Sequence, residues 1–111
     1  MKPTKERQTL LLLSQLTEEL KALNLWQKRR PSLCELASTL PFHYDTLTFE
    51  QWLQFVFIER ISLIIDKEQP LPSEILLLPV AEESFKNFGN KANNLLNIID
   101  QIDGVLSGRN T

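Results

Sequence analysis

Leu47-Thr48-Phe49-Glu50-Gln51-Trp52-Leu53-Gln54-Phe55-Val56-Phe57-Ile58-Glu59-Arg60-Ile61-Ser62-Leu63-Ile64-Ile65-Asp66 is the stretch on which the fold turns. Thr48, followed three residues later by Gln51, has the form of a capping box: each side chain accepts from the other residue's backbone N–H. Leu47 and Trp52 occupy the positions of a hydrophobic staple. These signals predict a helix from Phe49 to about Asp66. At about 100° per residue its apolar side chains fall in two adjoining arcs. Phe49, Trp52, Leu53, Val56, Leu63 and Ile64 form one; Phe57, Ile58, Ile61 and Ile65 form the other. A helix apolar round most of its circumference is a central, buried element. The expected architecture is therefore all-α, an irregular four-helix bundle around this helix (about 49–66), with residues 1–111 as one domain.

Two features of the helix bear on function. Arg60 falls inside the first arc, where a guanidinium needs a carboxylate or several carbonyl acceptors unless its stem reaches solvent. Asp45 is the expected partner, in an ion pair that would pin the preceding loop. The second arc is a candidate partner surface if Phe57, Ile58, Ile61 and Ile65 stay uncovered. In a compact bundle the first and last helices and Ile75–Leu78 would cover it instead.

Toward the N-terminus, Leu13, Leu16, Leu20 and Leu23 make one helical stripe, extended by Leu10 and widened by Leu12, in a first helix from about Thr4 to Trp26. Lys28-Arg29-Arg30-Pro31 ends it. Ser32-Leu33-Cys34-Glu35 is a second capping box and starts a short helical turn. Leu40 to Thr46 reads as a loop that packs down on the protein. Beyond the central helix, Lys67-Glu68-Gln69-Pro70-Leu71-Pro72-Ser73 cannot continue a helix and forms a stiff connector. Pro79 suits the first turn of a short helix through about Phe88, with Gly89 as its C-terminal cap. Ala92, Leu95, Leu96, Ile99, Ile102 and Leu106 form the stripe of a last helix, about Asn90 to Leu106. Ser107 to Thr111 should fray.

Composition agrees with helices. Among 111 residues there are 21 Leu and 8 Ile against 3 Val and 3 Gly, and strands prefer β-branched residues. No apolar run exceeds four residues, too short for a membrane span or a signal peptide, so a cytoplasmic protein is expected. The formal charge is −2 overall but uneven: residues 1–30 carry +4 and residues 31–111 carry −6.

Chemistry-bearing residues are few. Cys34, His43 and Asp45 are the one set that joins a Cys to a His, and no family signature surrounds the Cys, which reads as a small buried residue. One Cys and one His lack zinc-ligand spacing. Isolated glycines build no phosphate loop. The carboxylate pairs Glu18-Glu19, Glu82-Glu83 and Asp100/Asp103 read as solvated faces. No catalytic residue, metal or cofactor is expected. Trp26, Lys28, Arg29 and Arg30 form a candidate basic patch that could stack a base and hold phosphates, although net acidity favours a basic helix end with Trp26 closing the core.

Phe42-His43-Tyr44-Asp45-Thr46 with the Trp52-Leu53-Gln54 helix, Arg60 and the Leu71-Pro72 connector resembles the YqcC-like family of small bacterial proteins of unknown function. The resemblance spans essentially the whole chain, including the leucine-rich first helix ending in Trp26. It implies a small helical bundle in a bacterial cytoplasmic protein, often encoded beside a tRNA pseudouridine synthase, and carries no catalytic residues. Val80-Ala81 departs from it, since a relative is aromatic after the proline. The functional expectation is a noncatalytic protein-interaction or accessory module, with a protein partner or a second copy as candidate partners. The alternative is an RNA-associated factor in tRNA modification that binds tRNA or an RNA-modifying enzyme. A small-molecule site at the His43–Asp45 loop stands third.

Overall fold

The capping box at Thr48 forms with both of its bonds: Gln51 N–H donates to Thr48 Oγ1 at 3.3 Å and Thr48 N–H donates to Gln51 Oε1 at 2.8 Å. From it the central helix runs as α3 (Phe49–Trp52), a π-helical turn (Leu53–Phe57) and α4 (Ile58–Asp66). This is a computed structural model, and it describes residues 4–108. Around the central helix lie α1 (Lys5–Ala22), α2 (Leu33–Leu36), α5 (Leu78–Ser84) and α6 (Asn93–Ser107), with 3-10 turns at Pro41–His43 and Lys86–Ala92. Among the described residues there is no strand. The all-α bundle is as expected. α1 packs along α6, α5 lies on α6, and the central helix meets α1 and α5.

Burial follows the predicted stripes with informative departures. Leu16, Leu20, Leu53, Leu95, Ile99, Ile102 and Leu106 are fully buried in one core. On α1 the stripe turns through Thr9 and Leu12 rather than Leu10, which is exposed. Thr9 tolerates burial because its hydroxyl donates to Lys5 O at 2.8 Å, satisfying a polar group that would otherwise be costly. α1 also ends four residues early, at Ala22. Asn24 takes a left-handed conformation (φ 61°), Leu25 N–H donates to Leu20 O and Asn24 N–H to Lys21 O, which is a Schellman motif. The chain from 23 to 31 therefore folds back across the central helix instead of prolonging α1.

The central helix ends the same way. Gln69 N–H donates to Ile64 O at 2.9 Å, Glu68 N–H donates to Ile65 O at 3.1 Å, and Glu68 takes φ 55°. Here a residue with a Cβ occupies the position glycine usually fills. Gly89 does not cap α5, whose C-cap is Phe85; it instead breaks the 3-10 run (φ 59°, ψ −137°), a backbone region open in practice only to glycine. Ser107 ends α6 in helix and Gly108 closes it in the left-handed region, while residues 109–111 of the expected frayed tail lie outside the described residues.

α5 begins without a local capping side chain. Its donors are met from across the core: Leu77 N–H is shared between both oxygens of Asp103, at 2.8 and 2.9 Å, and Leu78 N–H donates to Oδ2 at 2.8 Å. The expectation of a solvated Asp103 is thus corrected: the residue is 1% exposed. A carboxylate at a helix N-terminus also opposes the helix dipole favourably, and Pro79 in the next position has no N–H to satisfy.

Glu68→Gly relieves the left-handed strain and raises stability by about 0.5–1 kcal/mol after the entropy cost of glycine, read as a higher urea midpoint at unchanged slope. Asp103→Ala strands buried N–H groups and lowers stability by about 2–4 kcal/mol in the same assay.

Candidate functional site

Six consecutive residues of the central helix, Trp52 to Phe57, are buried. They point in every direction round the axis, so the helix needs cover on all sides. The bundle supplies one side. The returning 23–31 segment supplies the other: Gln54 Nε2 donates to Gln27 O at 2.8 Å, and Gln27 N–H donates to Gln54 Oε1 at 2.9 Å. Gln51 Nε2 donates to Gln27 Oε1 at 3.0 Å. Three residues on, Arg30 makes a two-pronged ion pair with Glu59, at 2.6 and 2.9 Å, and its guanidinium stands 5.7 Å from the centre of the Phe55 ring. The bonds to Glu59 and its charge raise the Arg30 pKa further.

The π turn sets the direction of every side chain after it. Ile58 N–H reaches back five residues to Leu53 O, so the turn holds about one residue more than an α-turn and later side chains lag by roughly 100°. That lag moves Arg60 and Leu63 off the core-facing stripe onto the side of Phe55 and Glu59. Both are exposed, Leu63 by 54%. It moves Ile61 into the core. The expected first arc, with Leu63 inside it and Arg60 among its members, is therefore corrected. The candidate partner face is corrected by the same turn: Phe57 and Ile61 are each 2% exposed, and Ile58 and Ile65 pack half-buried against the core.

The Asp45–Arg60 pair does not form. Asp45 accepts from Ser38 Oγ at 2.5 Å, and no ion pair or hydrogen bond engages Arg60 among the described residues. The loop is pinned by other means. Phe42 meets the rings of Trp52 and Phe49 edge-on, at 5.0 and 5.8 Å. Thr46 Oγ1 donates to Glu35 O at 2.7 Å, and His43 Nε2 lies 3.0 Å from Leu36 O. Phe42 and His43 both carry left-handed backbone (φ 56° and 52°), a strain these contacts must offset. His43 Nδ1 is buried with no partner.

Two clefts flank the exposed strip of the central helix, and Arg60 stands between them. One, about 310 Å³, opens toward the loop and is lined by Leu36, His43, Phe55, Glu59, Arg60 and Leu63 among others. The second, about 280 Å³, lies toward the proline connector.

The candidate basic patch disperses. Arg30 is neutralised by Glu59, and Trp26 is half-buried on the core with Lys21 Nζ 5.4 Å from its ring centre. Lys28 and Arg29 remain exposed. Cys34, expected to be buried, is exposed on α2. Asp45 is held by Ser38 and His43 by Leu36, so Cys34, His43 and Asp45 make no hydrogen-bonded relay. No cluster of three or more metal-ligating side chains occurs among the described residues, and no helix there is long and apolar enough to cross a membrane. Gln54 is the residue that sequence reasoning misses. Its signal is a lone carboxamide in the otherwise apolar run Trp52 to Ile58.

A family model named DUF446, tRNA pseudouridine synthase C, matches residues 8–105. An uncharacterized protein of Haemophilus influenzae is 40% identical over 81 residues, 73% of this chain and 76% of that protein. The tRNA pseudouridine synthase C of Pectobacterium carotovorum subsp. carotovorum is 35% identical over 69 residues, 62% of this chain but 18% of that protein. The solution NMR structure of protein YqcC from E. coli superposes with a TM-score of 0.85 at 26% identity, covering 98% of this chain and 93% of that one.

Gln54→Ala releases the 23–31 segment. It costs about 1–3 kcal/mol, and amide exchange at Gln27 rises well beyond that of the α6 core.

Proposed function

Because the chain belongs to the DUF446 family, we propose that it is a noncatalytic accessory module that docks on a protein partner, and that the partner is an enzyme of tRNA pseudouridylation. The observation that carries the docking half is the strip at Arg60 and Leu63: an exposed cation that lines two clefts, beside a large exposed apolar side chain that lines the loop-side one. Isolated exposed leucines are ordinary; here the leucine stands beside an arginine that lines both clefts, and arginine is enriched at interface hot spots. Support for the partner comes from the relatives. The fold spans nearly all of the solved YqcC chain, whereas the stretch similar to this chain is 18% of a protein named tRNA pseudouridine synthase C. One module thus occurs in two settings, and in one of them it is tethered to the rest of a synthase, where tethering raises local concentration. The noncatalytic half is supported by Cys34, which is exposed, and by Asp45 and His43 Nε2, which are committed to Ser38 and to Leu36 O.

A second reading has a specific observation behind it. Lys28 and Arg29 are exposed, and the synthase name raises tRNA as a ligand. Phosphate contacts of that kind weaken steeply with salt.

Titrating the chain with the host's tRNA pseudouridine synthase C by calorimetry separates the two. Leu63→Glu weakens complex formation at least tenfold, about 1.4 kcal/mol, while Arg29→Glu leaves it unchanged. Loss on Arg29→Glu alone, together with salt-sensitive binding of tRNA to the free chain, reverses the assignment in favour of RNA.

A further inference from the structure

The cleft toward the connector has a floor of Trp52, Phe57 and Ile61 and a wall of Pro70 and Pro72, with Arg60 at its rim. We propose that it is the anchor pocket of the docking surface, taking one apolar side chain of a partner segment whose neighbouring carboxylate pairs with Arg60. The inference rests on the docking reading above and adds the chemistry of what is bound.

Size suits a small guest. At about 280 Å³ the cleft sits at the lower end of the roughly 300–1,000 Å³ typical of cofactor and drug-sized sites, and a single large side chain fits it. Its floor is apolar and fixed, because Trp52, Phe57 and Ile61 are held in the core, at 8, 2 and 2% exposure. Its wall is stiff: each proline has a fixed φ and no N–H, so at those positions the wall neither adjusts nor demands a donor's partner. A preformed apolar pocket of this kind binds with little ordering cost.

Charge selects the neighbour. Of the two arginines on this side of the helix, Arg30 is neutralised by Glu59. Arg60 carries the charge that no described residue balances. The guanidinium therefore favours an acidic group next to the anchoring residue and repels a basic one. The other cleft carries no comparable argument: Arg60 lines it too, but Glu59 and His43 stand in the same lining and it is the more open and more polar of the two.

The test is NMR on the full chain with two blocked tripeptides at millimolar concentration, acetyl-Asp-Leu-Asp-amide and acetyl-Lys-Leu-Lys-amide. The acidic peptide shifts the Trp52 indole N–H and the Ile61 methyl resonances, and the basic one binds about fivefold more weakly. Arg60→Glu, an exposed substitution with preserved spectral dispersion, reverses that preference. Equal binding of the two peptides, indifference to Arg60→Glu, no shift at all, or the same shifts on raising protein concentration alone (a second copy in the cleft) each overturn the proposal. Its failure is separable from that of the docking reading. If the peptides fail while Leu63→Glu still abolishes synthase binding, the pocket falls and the docking stands; if the peptides bind as stated while the synthase does not, the pocket stands alone.

Discussion

One extra residue in one turn of helix governs the surface of this protein. Between Leu53 and Phe57 the backbone spacing widens from four residues to five, and every side chain beyond it is displaced by about a residue's rotation. Ile61 is thereby delivered to the core, and Arg60 and Leu63 to the outside. Without the turn, a charge would lie on the apolar stripe with no carboxylate near it, a conflict that costs several kcal/mol in a buried setting. The clefts on either side of Arg60 share in the same displacement, since Arg60 and Leu63 in one and Arg60, Ile61 and Ile64 in the other lie beyond the turn.

The turn is tolerable because the chain covers it. Six buried residues in a row leave no face for water, and the side away from the bundle is closed by a loop, which must bring its own backbone groups. Gln54 resolves this by pairing its carboxamide with both the N–H and the C=O of Gln27, as a neighbouring strand would. The Arg30–Glu59 pair then holds the far end of that loop over Phe55. Asp103 does equivalent service for α5, a short helix begun by leucines and a proline that supply no cap of their own. In both places a polar side chain is buried where its backbone partners converge, consistent with the rule that buried polar groups are hydrogen-bonded.

Much of the fold is legible along the chain. The capping boxes at Thr48 and Ser32 form as their spacing implies, since both partners lie within one turn and nothing distant can intervene. The α6 stripe of Leu95, Ile99, Ile102 and Leu106 is buried as its period requires. The candidate site is less legible. Counting 100° per residue misplaces Arg60, because the count runs through a segment that does not keep that angle. It also hands Asp45 to Arg60 when a nearer hydroxyl, Ser38, takes the carboxylate instead.

Local sequence was enough for the helical class, the bounds of the central helix, its N-terminal cap and the stiff connector, because each depends on interactions between residues a few positions apart. Packing of the whole chain was needed for the π turn, the return of the 23–31 segment onto Gln54, the burial of Asp103 and the exposure of Arg60 and Leu63. Those depend on which backbone groups residues 25 or more positions apart present to one another. A local pattern records the period of a helix; the face turned to water depends on what the rest of the chain has packed against it.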